Sequence, residues 1–549
     1  MKIFGTIYPF VETGENAYKL GRHVANYEFF KALLSVGNFD EFHLFCLSVN
    51  HLILTKNRLQ QESLPENRKK KIQLYLFNNL KEKITTTEYH VFHLGGWGYF
   101  FPGLVYFRNA YAKNKFPITG LIHSLNGIET NYHAFKICTA PLLPYDTIIC
   151  SSNAGKKVLD KVFQNLQKTI ANVGFTPAFK GNTEIIPLGI DARLLKIPDK
   201  SSARQRLSLP TEAIIFLTIG RLSPQTKADL YPLLKTFQRV MQHSSDKPVR
   251  LIIAGGANNR EIKLVREIIA ECGEEHSVHL ITNFSDALKP YLYGAADVYI
   301  SLSDNLQETF GISVIEAMAA GLPAVVSDIN GYSELVTHGS TGYKIPTLWT
   351  DAFQLAELSD IMNFSTLQLM LSQCMVVDTE ALYNHLLELV TDTTKRRVMG
   401  EEAKKKTVRK YLWTDIIASY ESLWSKLHEQ SVSYTGEVSI SKNPFANDYL
   451  YTFSHYPTGI IGSDTECSIT PEGRRAVQSG ILPVPYTDIS SLLDNDTITE
   501  ILSVLLQKSV SVADILEHFS LKSIQRDNIL YMLLWLAKYS LIHLKQSNE

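Results

Sequence analysis

The chain has 549 residues, with 54 Lys and Arg against 55 Asp and Glu and a formal net charge of −1 at pH 7. That balance excludes a global electrostatic footprint for nucleic acid, while 45% hydrophobic content is ordinary for a globular chain of two to four domains. Six scattered cysteines without a C-x-x-C pair argue against a disulfide or zinc framework and fit reduced thiols in the cytoplasm.

No stretch is apolar enough for long enough to span a bilayer, and Met1-Lys2-Ile3-Phe4-Gly5 runs into a strand pattern, so no signal peptide is expected. Ile3 to Tyr8 predicts a first buried strand. A loop carrying Gly14 follows, then a helix from Asn16 to Val36. Gly14 is the candidate for close backbone approach to a ligand. Phe42 to Ser48 predicts a second strand. Arg68 to Lys71, with Lys81 and Lys83, forms a basic cluster that reads as a solvated face; attraction to an anionic membrane surface is the alternative. His90 to Leu94 predicts another strand whose exit, Gly95-Gly96-Trp97-Gly98, is placed to meet an acceptor. Strands are expected over Ile118 to Ile122, ending at His123, over Asp146 to Cys150, and over Glu184 to Pro187.

A second series begins at Ala213 to Ile219. Its exit, Gly220 to Lys227, holds Arg221 and Lys227 six apart, a forked donor and a point charge suited to a diphosphate. Strands follow over Arg250 to Ala254 and His279 to Ile281, with Asn283-Phe284 just beyond. Val298 to Ile300, the polar loop from Ser301 to Phe310, a helix opening at Gly311 and closed by Gly321, and Pro323 to Val326 make one βαβ unit of a parallel sheet. Its loop lies at the carboxyl end of a strand, where such sheets bind ligands, and the helix start favours an anion. Glu308 in the loop and Glu316 one turn into the helix are placed to face one ligand. A mostly helical region is expected over Asp351 to Met399 and an amphipathic helix over Trp413 to Leu427. Residues 429–471, rich in Ser, Tyr, Pro and Gly, read as a linker. Residues 472–549 read as a small helical module, winged-helix-like in outline, that lacks a dense basic face and so suits protein docking or self-association better than nucleic acid. Asp494-Asn495-Asp496 is a literal D-x-D that reads as a solvated turn rather than a metal site.

Glu308-Thr309-Phe310-Gly311, Glu316-Ala317-Met318-Ala319, Gly321-Leu322-Pro323, Ser327-Asp328 and Gly339-x-Thr341-Gly342-Tyr343 together resemble the signature of family 4 glycosyltransferases, retaining enzymes of the GT-B fold. The resemblance covers about Lys2 to His428. It implies an α/β architecture of two Rossmann-like domains facing a cleft: residues 1–191 on the acceptor side, crossing over at Leu188-Gly189-Ile190-Asp191; residues 192–410 binding the nucleotide sugar; and a helix over 411–428 returning to the first domain. It also implies roles: Glu308 toward the donor sugar hydroxyls, Thr309, Phe310 and Gly311 against sugar and diphosphate, and Glu316 on the ribose. Arg221 and Lys227 fall on the diphosphate, His123 near the donor sugar, Asn283 near the base and Gly14 in the first domain's glycine loop, where the family's usual glycine pair is reduced to one.

The expected activity is transfer of a sugar from a nucleotide-diphosphate donor, UDP-sugar first and GDP or ADP behind, with retention of configuration. The leaving group is served by Arg221, Lys227 and the helix start rather than by a metal, and no other cofactor is expected. The acceptor stays open among glycan, lipid, peptide and small molecule, and membrane contact is expected to be peripheral at most, at the inner face. Rival readings on the same fold are a sugar-nucleotide epimerase or synthase, and an inactive scaffold acting through the C-terminal module.

Overall fold

The structure, a computed structural model, describes residues 1–8, 21–172, 174, 177–244, 248–350, 353–520 and 525–546. Gly14 lies outside the described residues. The chain divides into two units: Met1–Leu47 with Leu54–Asn443, and Ser48–Ile53 with Pro444–Glu549.

The first unit is built on two parallel sheets. One takes β1 (Ile3–Ile7), β2 (Glu41–Cys46), β3 (Ile72–Leu76), β4 (Val91–Leu94), β5 (Ile118–Leu121), β6 (Thr147–Cys150) and β7 (Asn182–Ile185) in the order β3-β2-β1-β4-β5-β6-β7. The other takes β8 (Ile214–Ile219), β9 (Val249–Gly255), β10 (Val278–Thr282), β11 (Val298–Ser301), β12 (Ala324–Ser327) and β13 (Gly342–Ile345) in the order β10-β9-β8-β11-β12-β13. The central strands are near-continuous apolar runs and wholly buried, as a sheet covered by helices on both faces requires. Each order reverses once, between β1 and β4 and between β8 and β11. The crevice outside the strand ends at such a reversal is where an open α/β sheet takes its ligand.

The halves are sewn together twice by the chain. Ile190 and Leu412 form a parallel bridge, with Ile190 N–H donating to Tyr411 O at 2.7 Å and Trp413 N–H to Ile190 O at 3.2 Å. The helix Trp413–Ser433 then packs on the first sheet. Its Trp424 is fully buried, donates from Nε1 to Thr119 Oγ1 at 3.1 Å, and meets the rings of Phe4 and Phe39 at 5.6 and 5.8 Å.

Several expectations need correction. Ile72–Leu76, directly after the basic cluster and without a predicted element, is the edge strand β3; its residues are only half buried, so the apolar signal is weak. The cluster's cations mostly serve the fold: Arg68 and Lys71 donate to the carbonyls of Gly37 and Phe39 at 2.5 and 2.7 Å, and Lys81 and Lys83 lie over Tyr111 and Tyr75. The helical region beyond Pro346 also holds two short antiparallel strands, β14 (Thr347–Trp349) and β15 (Met375–Val377).

The expected linker 429–471 is shorter than that range: the division between the units falls within it, at Asn443 and Pro444, but both of its ends are regular structure. The returning helix runs on to Ser433, and β16 (Glu466–Ile469) lies inside the expected linker. The C-terminal module is therefore not simply helical. β16 sits between β17 (Val510–Ser511) and β18 (Ile542–Lys545) in an antiparallel sheet, with helices Pro471–Ser479, Asn495–Gln507, Val512–Ser520 and Arg526–Lys538. Cys467, Ile501, Leu502, Leu533 and Leu536 are among its core. Asp494 of the D-x-D caps the helix Asn495–Gln507, its Oδ2 accepting from Thr497 N–H at 2.8 Å. Among the described residues no helix is long and apolar enough to cross a membrane.

Candidate functional site

The reversal between β8 and β11 fixes which loops meet. The exit of β8 carries Arg221 and Lys227; the exit of β11 carries Ser301 to Phe310. Lys227 Nζ donates to Glu308 Oε2 at 2.9 Å and to the Tyr332 hydroxyl at 2.8 Å. The residues expected to hold the two ends of a donor are thus bonded to each other here. Burial pushes the Glu308 carboxyl up, but Lys227, the Phe310 amide and Arg221 bring it net below its usual value. Burial likewise opposes the Lys227 charge, and Glu308 with the hydroxyls of Tyr332 and Tyr299 raises it net above the usual lysine value. An ionised pair is the ground state. Arg221 donates from Nη2 to Thr226 O at 2.9 Å, which folds the β8 exit loop back on itself.

The loop turns into the helix Ile312–Ala319 at Gly311, whose φ of +112° only glycine adopts comfortably. A Cβ there would also meet the Tyr332 ring at 2.5 Å. Val314 N–H closes the first turn onto Gly311 O at 3.1 Å, and the amide that reaches Glu308 is that of Phe310, donating to Oε1 at 3.3 Å. One turn in, Glu316 is 6% exposed; its Oε1 accepts from Lys289 Nζ at 2.6 Å and its Oε2 from the Tyr293 hydroxyl at 2.8 Å. Each carboxylate oxygen keeps one acceptor position, enough for a vicinal diol such as a ribose. Burial opposes the charge of Lys289, and Glu316 overcomes it, leaving the ammonium raised above its usual value.

His123, at the exit of β5, comes to the same cleft from the first half. Its Nε2 lies 2.9 Å from Asn26 Oδ1 and 3.0 Å from Gly95 O, so Nε2 carries the proton and Nδ1 is the acceptor. Burial holds its pKa down to about 4, against the Gly95 carbonyl, which raises it. The ring is neutral near pH 7. Thr309 Oγ1 donates to the His123 carbonyl, which brings the β5 exit against the donor loop.

Glu308, Lys227, Arg221, Thr309, Phe310, Gly311, Glu316 and His123 therefore gather around one cleft. Asn283 has its side chain engaged by the protein itself. In left-handed backbone with φ 52°, it accepts from Ala257 N–H at 3.0 Å and donates to Ala257 O at 2.9 Å, so its amide fastens the β9 exit loop. Sequence reading missed Lys289 and Tyr293, the partners of Glu316, and Tyr332, which Lys227 bonds alongside Glu308. Nothing in the spacing pointed to Lys289, which lies 27 residues before Glu316. It also missed Asp304, buried beside the site. Burial, and then the neighbouring Asp229 charge, push its carboxyl up to about 7, against the Asp229 N–H that Oδ2 accepts at 3.1 Å.

Residues 199–360 match the family model described as glycosyl transferases group 1. The D-inositol 3-phosphate glycosyltransferase of Kribbella flavida is 27% identical over 207 residues, 36% of this chain and 47% of that protein. The protein of the same name from Thermobispora bispora is 29% identical over 185 residues, 32% of this chain and 42% of that one. The chain spans about half the length of the curated relatives it matches. Among solved structures, HepE of Anabaena in complex with UDP superposes with a TM-score of 0.52 at 17% identity, covering 78% of this chain and 100% of that one. A glycosyltransferase of Rickettsia africae gives 0.51 at 14% identity, covering 78% and 98%. The architecture is that of the GT-B fold.

Proposed function

We propose that this chain, whose residues 199–360 are a group 1 glycosyl transferase domain, moves a sugar from a UDP-sugar to an acceptor hydroxyl with retention of configuration and without a resident metal. The observation that carries the reading is the pairing of two cation-held glutamates on one loop–helix unit, the half-buried Glu308 with Lys227 and the buried Glu316 with Lys289. In this mechanism the ribose diol fills the two acceptor positions left on Glu316. The diphosphate replaces Glu308 as partner of Lys227 and lies between it, Arg221 and the first-turn amides of Ile312–Ala319. Glu308, released from Lys227, takes the sugar hydroxyls. As the bond between the anomeric carbon and the phosphate oxygen breaks, the electron pair leaves with the phosphate, and these donors stabilise the charge that develops there. The acceptor oxygen enters from the His123 side and gives its proton to the departing phosphate. UDP is favoured because HepE, which shares the fold, was solved with UDP. A cytoplasmic setting agrees with six free cysteines, five of them buried. A docking role for the second unit has one support, the exposed Tyr449, Leu450, Tyr451 and Tyr456 along a single segment.

The test is thermal stabilisation by UDP, GDP and ADP of the wild type and of Glu316→Ala. A nucleotide at 100 times its Kd stabilises by about 2.7 kcal/mol. UDP is expected to raise the wild-type Tm and leave the variant unmoved. Turnover with the matching UDP-sugar should persist in EDTA and yield a product with the donor's anomeric configuration. Stabilisation by none of the three would overturn the reading.

A further inference from the structure

Glu334 takes no part in the donor chemistry above, yet it makes the most extensive polar contact between the two halves described here. It lies on the short helix Tyr332–Leu335 of the second half, and its carboxylate reaches the start of the helix Asn153–Ala171 in the first half. Glu334 Oε2 accepts from Asn153 N–H at 3.1 Å and from Asn153 Nδ2 at 2.9 Å, and Oε1 from Ala154 N–H at 2.7 Å. These first-turn amides have no acceptor within their own helix and carry the positive end of its dipole. Ser152, the N-cap of that helix, accepts from Gly155 N–H at 2.9 Å and donates to Thr309 O at 2.6 Å. One helix start is thus fastened both to the donor loop and to Glu334.

The second half gives this contact little slack. Gly331, just before the Glu334 helix, lies so close to the donor loop that a Cβ would meet Thr309 O at 2.4 Å and the Phe310 Cα at 2.5 Å. Tyr332 holds Lys227 Nζ at 2.8 Å and Ser301 Oγ at 2.9 Å. A donor that draws Lys227 away from its present partners therefore acts on the turn that carries Glu334. We propose that Glu334 is a positioning residue that caps the first half's helix from the second half, so that filling the donor site and seating the two halves on each other are one coupled event. The coupling rests on the glycosyltransferase reading, and by linkage it works in both directions.

Hydrogen exchange on the full chain, with and without UDP, tests it in the wild type, Glu334→Gln and Asn153→Ala. In the wild type UDP is expected to protect residues 153–158 as well as 305–316, although the proposed nucleotide contacts all belong to the second half. In Glu334→Gln the amides of 153 and 154 should exchange about tenfold faster without nucleotide. UDP should then protect 305–316 alone, bind more weakly by the factor by which it no longer protects 153–158, and support a kcat lowered at least tenfold. Asn153→Ala, which removes one bond from the other side, should show the same pattern more weakly. Equal protection of 153–158 by UDP in wild type and Glu334→Gln would overturn the coupling, as would wild-type protection confined to 305–316. UDP that protects neither segment defeats the donor reading and the coupling with it; the nucleotide-free difference at 153 and 154 would then show the cap alone.

Discussion

Lys227→Met isolates the ion pair at the centre of the site. The pair spans 2.9 Å, with Lys227 and Glu308 side chains 15% and 24% exposed. Removing one partner of a fully buried pair costs about 3–5 kcal/mol and of an exposed one roughly 0–1 kcal/mol. At this exposure a loss of about 2 kcal/mol at pH 7 is expected. The sign of its pH dependence follows from Glu308. In the wild type the carboxyl sits below its unfolded value, so its contribution is present above roughly pH 4.3 and is lost as pH falls through the folded value. Without Lys227 burial dominates and the carboxyl rises above its unfolded value, so the variant loses stability as pH climbs past that point. The difference in stability between wild type and variant, measured by urea unfolding of matched samples, should be about 1 kcal/mol smaller at pH 5 than at pH 7. Adding Glu308→Gln should restore about half of the loss, because no charge is then left unpaired. Lost bonds to a charged phosphate weaken UDP by roughly 10- to 150-fold. Equal destabilisation at both pH values, or a double variant worse than the sum of the singles, would refute the pairing as described.

Gly311→Ala combines a forbidden φ with a contact at 2.5 Å to Tyr332. It should destabilise by about 2–3 kcal/mol and abolish UDP stabilisation, whereas Gly339→Ala, with positive φ but open space around it, should cost about 1 kcal/mol and keep UDP binding. His123 is held neutral with its pKa near 4, against about 6.5 when unfolded. Its contribution is complete above pH 6.5 and lost between there and pH 4, so His123→Gln should flatten that part of the Tm–pH curve.

The βαβ unit from Val298 to Ser327 was legible because its two strands are short apolar runs buried on both faces and its loop is polar throughout. His123, Arg221 and Lys227 were legible as candidates because each follows a strand's carboxyl end. What holds them was not. The bonds from Glu316 to Lys289 and Tyr293, from Lys227 to Tyr332, and from Glu334 to the Asn153 helix join residues 23 to 181 apart along the chain, and no local periodicity records a contact of that range. β3 escaped because an edge strand buries only part of each side chain, and β16 because its partners β17 and β18 lie more than 40 residues downstream.

The helix Trp413–Ser433 has a consequence for how the chain is made. The first sheet is finished once β7 has emerged, but the face bearing Phe4, Phe29 and Phe39 is closed by Trp424 and Tyr420, translated roughly 240 residues later. At synthesis rates of about 5–20 residues per second, an aromatic socket stays open on the nascent chain for roughly 10–50 s while the second half folds beside it. Folding from the amino end cannot be completed domain by domain here: the middle turns of the returning helix, with Tyr420 and Trp424, are the closing step for the first residues translated.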